Sequence, residues 1–105
     1  MSRRIPTYLA DPEAAAVVQR RAANLRRLRR ELNLSAPVLA RRAGIDHSYF
    51  YEVENGRLAL ATLRQLDRLA KAFDMSAADL LAELDKPTPL DEWSAANKDA
   101  TCLLL

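Results

Sequence analysis

Residues 43–56, AGIDHSYFYEVENG, place an unusual number of hydrogen-bonding side chains on one short stretch. In a helix, where each residue advances by about 100°, the two large apolar residues Phe50 and Val53 point to one side. The opposite side carries donors, acceptors and aromatic surface with little net charge, from His47, Ser48, Tyr51 and Glu52. Such a mixed polar face has the chemistry that binds the edges of nucleic-acid bases. A helix that only meets solvent would more often carry Lys and Glu, so this face predicts a binding role.

The chain contains little of what catalysis or metal binding needs. His47 is the single histidine, Cys102 is the single cysteine, and only two residues are glycine. No Ser–His–Asp or Cys–His set, no glycine-rich phosphate loop and no Cys/His cluster with metal-ligand spacing can be identified. We therefore expect a protein that is not an enzyme and has no catalytic residue, cofactor or metal site. A single cysteine also forms no intramolecular disulfide, which fits a reducing compartment.

Positive charge is concentrated in the first part of the chain. Residues 1–44 contain ten arginines against three acidic residues, a net charge of +7, whereas residues 45–105 have a net charge of −5. Arginine outnumbers lysine thirteen to three, and its planar guanidinium matches the geometry of phosphates and guanine edges. The asymmetry favours a polyanionic partner. A solvated arginine-rich helix face explains the charge taken alone equally well.

Apolar residues at helical spacing, separated by capping residues, predict five helices and no strand. Asp11 and Pro12 start a long first helix that ends near residue 32, where Asn33 is suited to a left-handed cap. The later helices begin after Ser35, Asp46, Thr62 and Ser76, and Gly44 and Gly56 end the second and third. The apolar faces consist of Val18, Ala22, Leu25, Leu28 and Leu32 in the first helix, Leu63, Leu66, Leu69, Ala70 and Phe73 in the fourth, and Leu80, Leu81 and Leu84 in the fifth. The fold class is therefore an all-α bundle.

Composition divides the chain into three parts. Residues 1–11 form a basic N-terminal arm, residues 12–85 the helical domain, and residues 86–105 a C-terminal tail that starts at the KPTPL stretch. No apolar run is long enough to cross a bilayer and no signal peptide is apparent, so a cytoplasmic protein without membrane contact is expected. The terminal CLLL matches a prenylation pattern but lacks a polybasic second signal. We prefer to interpret it as an apolar tail that docks on its own domain or on a second subunit.

Two short helices joined by a tight turn at Gly44, the second of which carries the mixed polar face, are the pattern of a helix-turn-helix. In this motif the second helix enters the major groove with its N-terminal residues on base edges. Phosphates are bound mainly by arginines and by helix N-termini. The opening stretch is therefore predicted to be a recognition helix.

On these residues the sequence resembles the Cro and phage-repressor type of helix-turn-helix protein, the Xre-like family, over residues 25–84. The segment LRRLRRELNLSAPVLARRAGI resembles the family's first two helices and contains its characteristic turn in LARRAGI. SYFYEVENG resembles the end of the recognition helix, and LRQLDRLAKAFDMSAADLL resembles the fourth and fifth helices. The resemblance implies a lambda-repressor-like bundle that binds double-stranded DNA, here with an extended first helix and a C-terminal tail.

The resemblance also implies roles for individual residues. The positions that usually read bases are occupied by His47, Ser48, Tyr51 and Glu52. Phosphate contacts are expected from Ser35, Arg41, Arg42, Tyr49, Asn55 and Arg57. Arg29 and Glu54 match a buried structural pair between the first and third helices. For the two tyrosines, packing at the helix edge is an equally strong alternative.

The sequence departs from the family pattern at two places. Ala36, followed by Pro37, stands where the second helix usually begins with Gln, which removes one common DNA contact. The loop at 57–61 is one residue longer than usual and carries Leu58, Ala59 and Leu60 where polar residues are common. An apolar loop of this kind is expected to face a partner subunit.

We therefore expect a sequence-specific, double-stranded DNA-binding transcriptional regulator, namely a repressor that binds a palindromic operator as a homodimer. The main alternative is a protein-interaction module, such as an antitoxin that neutralises a protein partner through residues 86–105 and binds DNA secondarily. A third interpretation is non-specific nucleoid binding, which predicts a steep salt dependence without sequence preference.

Overall fold

The computed structural model describes residues 10–60 and 62–88. Over these residues the backbone forms five helices and no strand: α1 (Pro12–Glu31), α2 (Ala36–Ala43), α3 (His47–Glu54), α4 (Leu63–Ala72) and α5 (Ala77–Leu84). The all-α, five-helix fold expected from the sequence is confirmed, including the long first helix. Most of the predicted arm and tail, residues 1–9 and 89–105, lies outside the described residues.

Each helix begins at the capping residue that the sequence indicates. The cap side chains accept a hydrogen bond from a backbone N–H two or three residues later, at 3.0 Å for Asp11, 3.4 Å for Ser35, 3.0 Å for Asp46, 3.2 Å for Thr62 and 3.0 Å for Ser76. These bonds satisfy N–H groups that a first helical turn leaves without a partner. Pro12 and Pro37 fit in first turns because the N–H group that proline lacks has no partner there in any case.

Four of the helices end on a residue with positive φ, which reverses the chain direction within two residues. These residues are Asn33 (55°), Gly44 (68°), Gly56 (73°) and Asp74 (60°). In each turn a backbone N–H returns to the carbonyl five residues earlier, as the N–H of Ile45 does to the oxygen of Ala40 at 2.9 Å. The positive φ of Asp74, at the end of α4, is the one that the sequence did not indicate. Asp and Asn nevertheless tolerate this conformation better than other non-glycine residues do.

The core draws on all five helices. Its largest fully buried side chains are Leu25, Leu39, Phe50, Leu69, Leu80 and Leu84. α1 packs against α3 and α5, α2 packs against α3 and α4, and α4 packs against α5. Each buried side chain of this size contributes about 1.5–3 kcal/mol relative to an exposed one. The orientation of α2 and α3 is therefore determined by packing on two other helices, α1 and α4.

Two residues of the predicted apolar faces lie in solvent. Leu32 is 48% exposed and Leu63 is 74% exposed. Leu32 caps the C-terminal end of α1, and Leu63 is the first residue of α4. Both residues lie at the ends of their helices. The periodic pattern therefore holds within these helices but does not extend to their ends.

The loop between α3 and α4 directs its leucines inward. Leu58 and Leu60 are half-buried and pack against the core. With Val18 and Leu84 they line a small cavity of about 30 Å³. Packing inside the domain already uses part of this apolar surface, and contact of the loop with a partner subunit stays a prediction.

The chain stays on the domain for a short distance after α5. The buried side chain of Asn24 in α1 donates from Nδ2 to the carbonyl oxygens of Leu84 and Lys86, each at 2.8 Å. Thr88 is also buried. The first residues of the predicted tail, 86–88, are therefore part of the folded unit.

Residues 10–60 and 62–88 contain neither a membrane-spanning helix nor a metal-binding cluster. No helix there is both long enough and apolar enough to span a bilayer. Within the same residues, no group of three or more His, Cys, Asp or Glu side chains is arranged to hold a metal ion.

Candidate nucleic-acid interface

The recognition helix predicted from the sequence, α3, has two distinct sides. Phe50 and Val53 are buried in the core. His47 and Ser48 are exposed, and Tyr51 is one of the exposed large hydrophobic residues at 51%. The exposed side therefore offers a ring nitrogen pair, two hydroxyl groups and an aromatic ring within the first five residues of the helix.

The turn that leads into α3 is held by local and long-range hydrogen bonds. Gly44 adopts the left-handed conformation, and the Asp46 carboxylate accepts from the N–H of Tyr49 at 3.0 Å. From α4, Arg68 donates through Nη1 to the carbonyl oxygen of Gly44 at 3.3 Å. These contacts connect the end of α2 to the start of α3 through only three residues and fix the angle between the two helices.

Glu52 is less exposed than the other predicted base-reading residues. Its carboxylate lies 3.3 Å from Nη1 of Arg57, and the two side chains are 18% and 62% exposed respectively. The Arg57 guanidinium therefore extends into solvent beside α3 with Glu52 at its base. The structure brings a predicted base-reading residue and a predicted phosphate-binding residue together in one ion pair.

Two other predicted phosphate-binding residues already have hydrogen-bond partners. The hydroxyl of half-buried Tyr49 lies 2.9 Å from both the carbonyl oxygen of Ala59 and Oε1 of Gln65. Exposed Asn55 donates from Nδ2 to the carbonyl oxygen of Tyr51 at 2.7 Å. Tyr49 thus joins α3 to the loop and to α4, which is the packing role that the sequence left open.

Side chains of α1 hold the C-terminal end of α3. Arg29 donates to both carboxylate oxygens of Glu54, at 2.6 and 3.0 Å, with the two side chains 16% and 6% exposed. Arg26 donates to the carbonyl oxygen of Glu54. Gln19 donates from Nε2 to the carbonyl oxygen of Gly56 at 2.8 Å. Three side chains of α1 therefore contact Glu54, at the end of α3, and Gly56, in the following turn.

The many arginines divide into two groups. Arg26, Arg29 and Arg68 are used inside the fold, as described above. Two further arginines are used there as well: Arg21 pairs with Asp85 at 2.7 Å, and Arg27 pairs with Glu31 at 3.1 Å and Glu83 at 3.4 Å. Arg41 and Arg42 are exposed in the last turn of α2, where neither pairs with an acidic side chain of the described residues. The positive charge left for a polyanion is therefore smaller than the count of arginines indicates.

Ion pairs at the end of α5 lower the pKa values of two carboxyl groups. The hydrogen bond from Arg21 holds the pKa of Asp85 below its ordinary value. The hydrogen bond from Lys86, assisted by Arg27, lowers the pKa of Glu83. Both groups are therefore firmly ionised at neutral pH and tie α1 to the end of α5.

Sequence reasoning did not identify Gln19 and Arg68 as part of the arrangement. Each contacts a main-chain carbonyl far along the chain, 37 residues away for Gln19 and 24 for Arg68. No local pattern marks such a contact, because a carbonyl acceptor is present at every residue. The same holds for Arg26, whose contact with the Glu54 carbonyl oxygen spans 28 residues.

Comparison with known proteins agrees with this geometry. A family model described as a helix-turn-helix domain matches residues 22–84. The crystal structure of the clp gene regulator ClgR from Corynebacterium glutamicum is similar to this chain, with a TM-score of 0.65 and 25% sequence identity over 84% of this chain and 89% of that chain. No curated protein matches the sequence. The resemblance to the Xre-like DNA-binding regulators noted in the sequence is confirmed, and the chain belongs to the helix-turn-helix domain family.

Proposed function

We propose that the protein is a repressor that binds one specific, two-fold-symmetric sequence of double-stranded DNA as a homodimer. The observation that carries the proposal is the division of α3 into a buried side, with Phe50 and Val53, and an exposed polar side, with His47, Ser48 and Tyr51. A helix face with donors and acceptors and little net charge suits base edges better than phosphates. The face lies on the second helix of a helix-turn-helix, which is the element that enters the major groove.

Base reading is assigned to His47, Ser48, Tyr51 and Glu52. His47 would bind guanine N7 or a phosphate, Glu52 would accept from cytosine N4, and the two hydroxyl groups would serve as donors or acceptors. Glu52 also pairs with Arg57, so any contact with a base would share its carboxylate with that guanidinium.

Phosphate binding is assigned to Ser35, Asn55, Arg57, Arg41, Arg42 and Tyr49. Ser35 Oγ accepts from the N–H of Val38, which leaves its own proton for a phosphate oxygen. Asn55 likewise keeps a second amide hydrogen beside the one that it gives to Tyr51. Arg57 is well placed because it is exposed next to α3. Tyr49 is the least favourable member, since two oxygens already lie within 2.9 Å of its hydroxyl.

A regulatory role is supported by the similarity to ClgR, which is described as a gene regulator and aligns over most of both chains. Helix-turn-helix dimers bind half-sites about 34–36 Å apart, one turn of the double helix. A cytoplasmic homodimer on such a site would repress transcription by blocking access of the polymerase. The domain at residues 12–85 would bind DNA, and the tail at 86–105 is left for a protein partner or for the dimer contact.

The proposal is tested by selection from a random-sequence duplex library at physiological salt, using the full-length protein. We expect the recovered duplexes to share a two-fold-symmetric motif with half-sites one helical turn apart. The Ser48→Ala variant, carried through the same selection, should shift the motif at one position in each half-site.

The outcomes separate the alternatives. Retention of DNA without a shared motif would contradict sequence-specific repression and support non-specific nucleoid binding. No retention would contradict DNA binding and favour the protein-partner alternative. In that case, capture of a cellular protein by the full chain, lost on deletion of residues 89–105, would support a role for the tail.

A further inference from the structure

The side chain of Gln19 lies directly against Gly56. Its Nε2 donates to the Gly56 carbonyl oxygen at 2.8 Å. A Cβ atom added to Gly56 would come within 2.5–2.7 Å of the Gln19 carboxamide atoms. Gly56 is buried and has a φ angle of 73°, a conformation that glycine adopts without steric penalty. The absence of a side chain at residue 56 therefore serves two purposes: it allows the reversal of the chain and the close approach of Gln19.

Gly56 is the residue with positive φ in the turn that ends α3, and its two sequence neighbours are proposed phosphate-binding residues. The N–H of Gly56 donates to the carbonyl of Val53 at 3.1 Å, and the N–H of Arg57 donates to the carbonyl of Glu52 at 3.0 Å. The pair of bonds closes a Schellman turn at the end of α3. Asn55 precedes Gly56 and Arg57 follows it. A contact that restrains Gly56 therefore restrains the backbone of both neighbours.

Gln19 belongs to a part of α1 that precedes the span matched by the helix-turn-helix family model. That span begins at residue 22, whereas α1 begins at Pro12. Within the matched span, Arg26 and Arg29 hold Glu54. Gln19 adds a third contact, past the last helical residue of α3 and one residue before Arg57, whose side chain is exposed.

We propose that Gln19 is a positioning residue for DNA binding, and that it acts by holding the turn at Gly56 so that Arg57 and Asn55 face the phosphate backbone. The inference rests on the proposed DNA-binding function. It assigns the N-terminal extension of α1 to the DNA-binding unit, in addition to its role in packing.

The test is a double-mutant cycle on full-length protein with the Gln19→Met and Arg57→Ala variants. Methionine keeps the length of the side chain and has no N–H donor. Binding is measured on the selected duplex and on a scrambled duplex over a range of salt concentrations. Ala16→Met is the matched control, because it places the same residue type at an exposed position of the same helix.

We expect Gln19→Met to weaken binding to both duplexes by about fivefold, the effect of one hydrogen bond. The slope of log K against log salt should become shallower by about one unit, as for the loss of one phosphate contact. In the Arg57→Ala background, Gln19→Met should cost clearly less than in the wild type, because only its effect through Asn55 remains. Ala16→Met should bind like the wild type.

A second measurement reports on the turn without DNA. Amide hydrogen exchange at Arg57 and Leu58 should be faster in Gln19→Met than in the wild type, while exchange within α4 stays unchanged. This comparison separates release of the turn from a general loss of stability.

Three results would overturn the inference. One is unchanged binding by Gln19→Met, and another is a loss of the same size in both backgrounds. The third is faster exchange throughout the domain, which would show a role in overall stability alone. If the wild-type protein itself fails to retain any duplex, the proposed function fails and this inference falls with it. If the wild type and Arg57→Ala differ but Gln19→Met binds normally, only the positioning role is wrong.

Discussion

Arg29 donates two hydrogen bonds, of 2.6 and 3.0 Å, to the carboxylate of Glu54. This buried pair joins the first helix to the last residue of the recognition helix. Arg29 also donates to the carbonyl oxygen of Leu34 at 2.9 Å, in the turn after α1. One guanidinium thus holds the end of α3 and the entry to α2 together. The relative placement of the two helices of the motif depends on this side chain as well as on the apolar core.

Removing one member of the pair should therefore be costly. We expect Glu54→Leu to lower the free energy of unfolding by about 3 kcal/mol or more, because it leaves the Arg29 charge buried without its partner. Urea denaturation measures the change. The Arg29→Met/Glu54→Leu double variant should be less destabilised than the sum of the single changes, since it leaves no buried charge. Simple additivity would show that the two residues do not act as a pair.

Residues that read bases and residues that bind phosphates should respond differently to mutation. Ser48→Ala is expected to cost about 1–3 kcal/mol on the preferred duplex and to relax specificity at one position. Arg57→Ala should weaken binding to every duplex alike and make the salt dependence shallower. Binding titrations on the preferred duplex and on single-base variants distinguish the two patterns.

For Glu52 both responses are conceivable, a change in sequence preference or a uniform loss of binding, because its carboxylate pairs with Arg57. If it reads a base, Glu52→Ala should change the preferred sequence at one position. Equal losses on every duplex would show instead that Glu52 only orients Arg57, and its assignment as a base-reading residue would be wrong.

The two glycines of the described region offer a matched comparison. Both have positive φ, 68° at Gly44 and 73° at Gly56, but an added Cβ meets nothing within 4 Å at Gly44. We expect Gly44→Ala to cost about 1–2 kcal/mol of stability through backbone strain alone. Gly56→Ala should cost about 1 kcal/mol more, because it also displaces the Gln19 hydrogen bond. Thermal unfolding tests this, and in a Gln19→Met background the difference between the two alanine variants should disappear.

Stability should decrease in acid through the carboxyl groups that close α5 onto α1. Arg21 and Lys86 hold the pKa values of Asp85 and Glu83 below their ordinary ones in the folded protein. The stabilisation is therefore present above the unfolded-state pKa and is lost as the pH falls through the lower folded-state pKa. The urea midpoint should decline below about pH 4, where unfolded carboxyl groups take up protons.

Arg21→Ala should remove the part of this pH dependence that belongs to Asp85. The paired side chains are 42% and 39% exposed, so the difference at neutral pH should not exceed about 1 kcal/mol. Arg64→Ala removes the same charge from an exposed position of α4 and serves as the control. An equal flattening of the pH profile in both variants would assign the effect to net charge and not to the Arg21–Asp85 pair.

Much of the fold could be predicted from the sequence because its signals are local. A helix cap binds an N–H group two or three residues away, as Asp46 does with Tyr49, and a left-handed glycine such as Gly44 acts within its own turn. The helical period also indicated which side of α3 is buried, since Phe50 and Val53 share one face whatever surrounds them. The exposed Leu63 shows where this reasoning ends: the period does not say how far along a helix the core extends.

The tertiary structure decided how the proposed interface is held. Gln19 and Gly56 are 37 residues apart, Arg68 and Gly44 are 24 apart, and Arg21 and Asp85 are 64 apart. A side-chain donor can reach any backbone carbonyl that folding brings within about 3 Å, so residue type alone does not identify its partner. The sequence by itself determined five helices, their caps and the polar face of α3. Only the packing of α1 across α3 and α5 decided which arginines are used inside the fold and which remain exposed for a phosphate backbone.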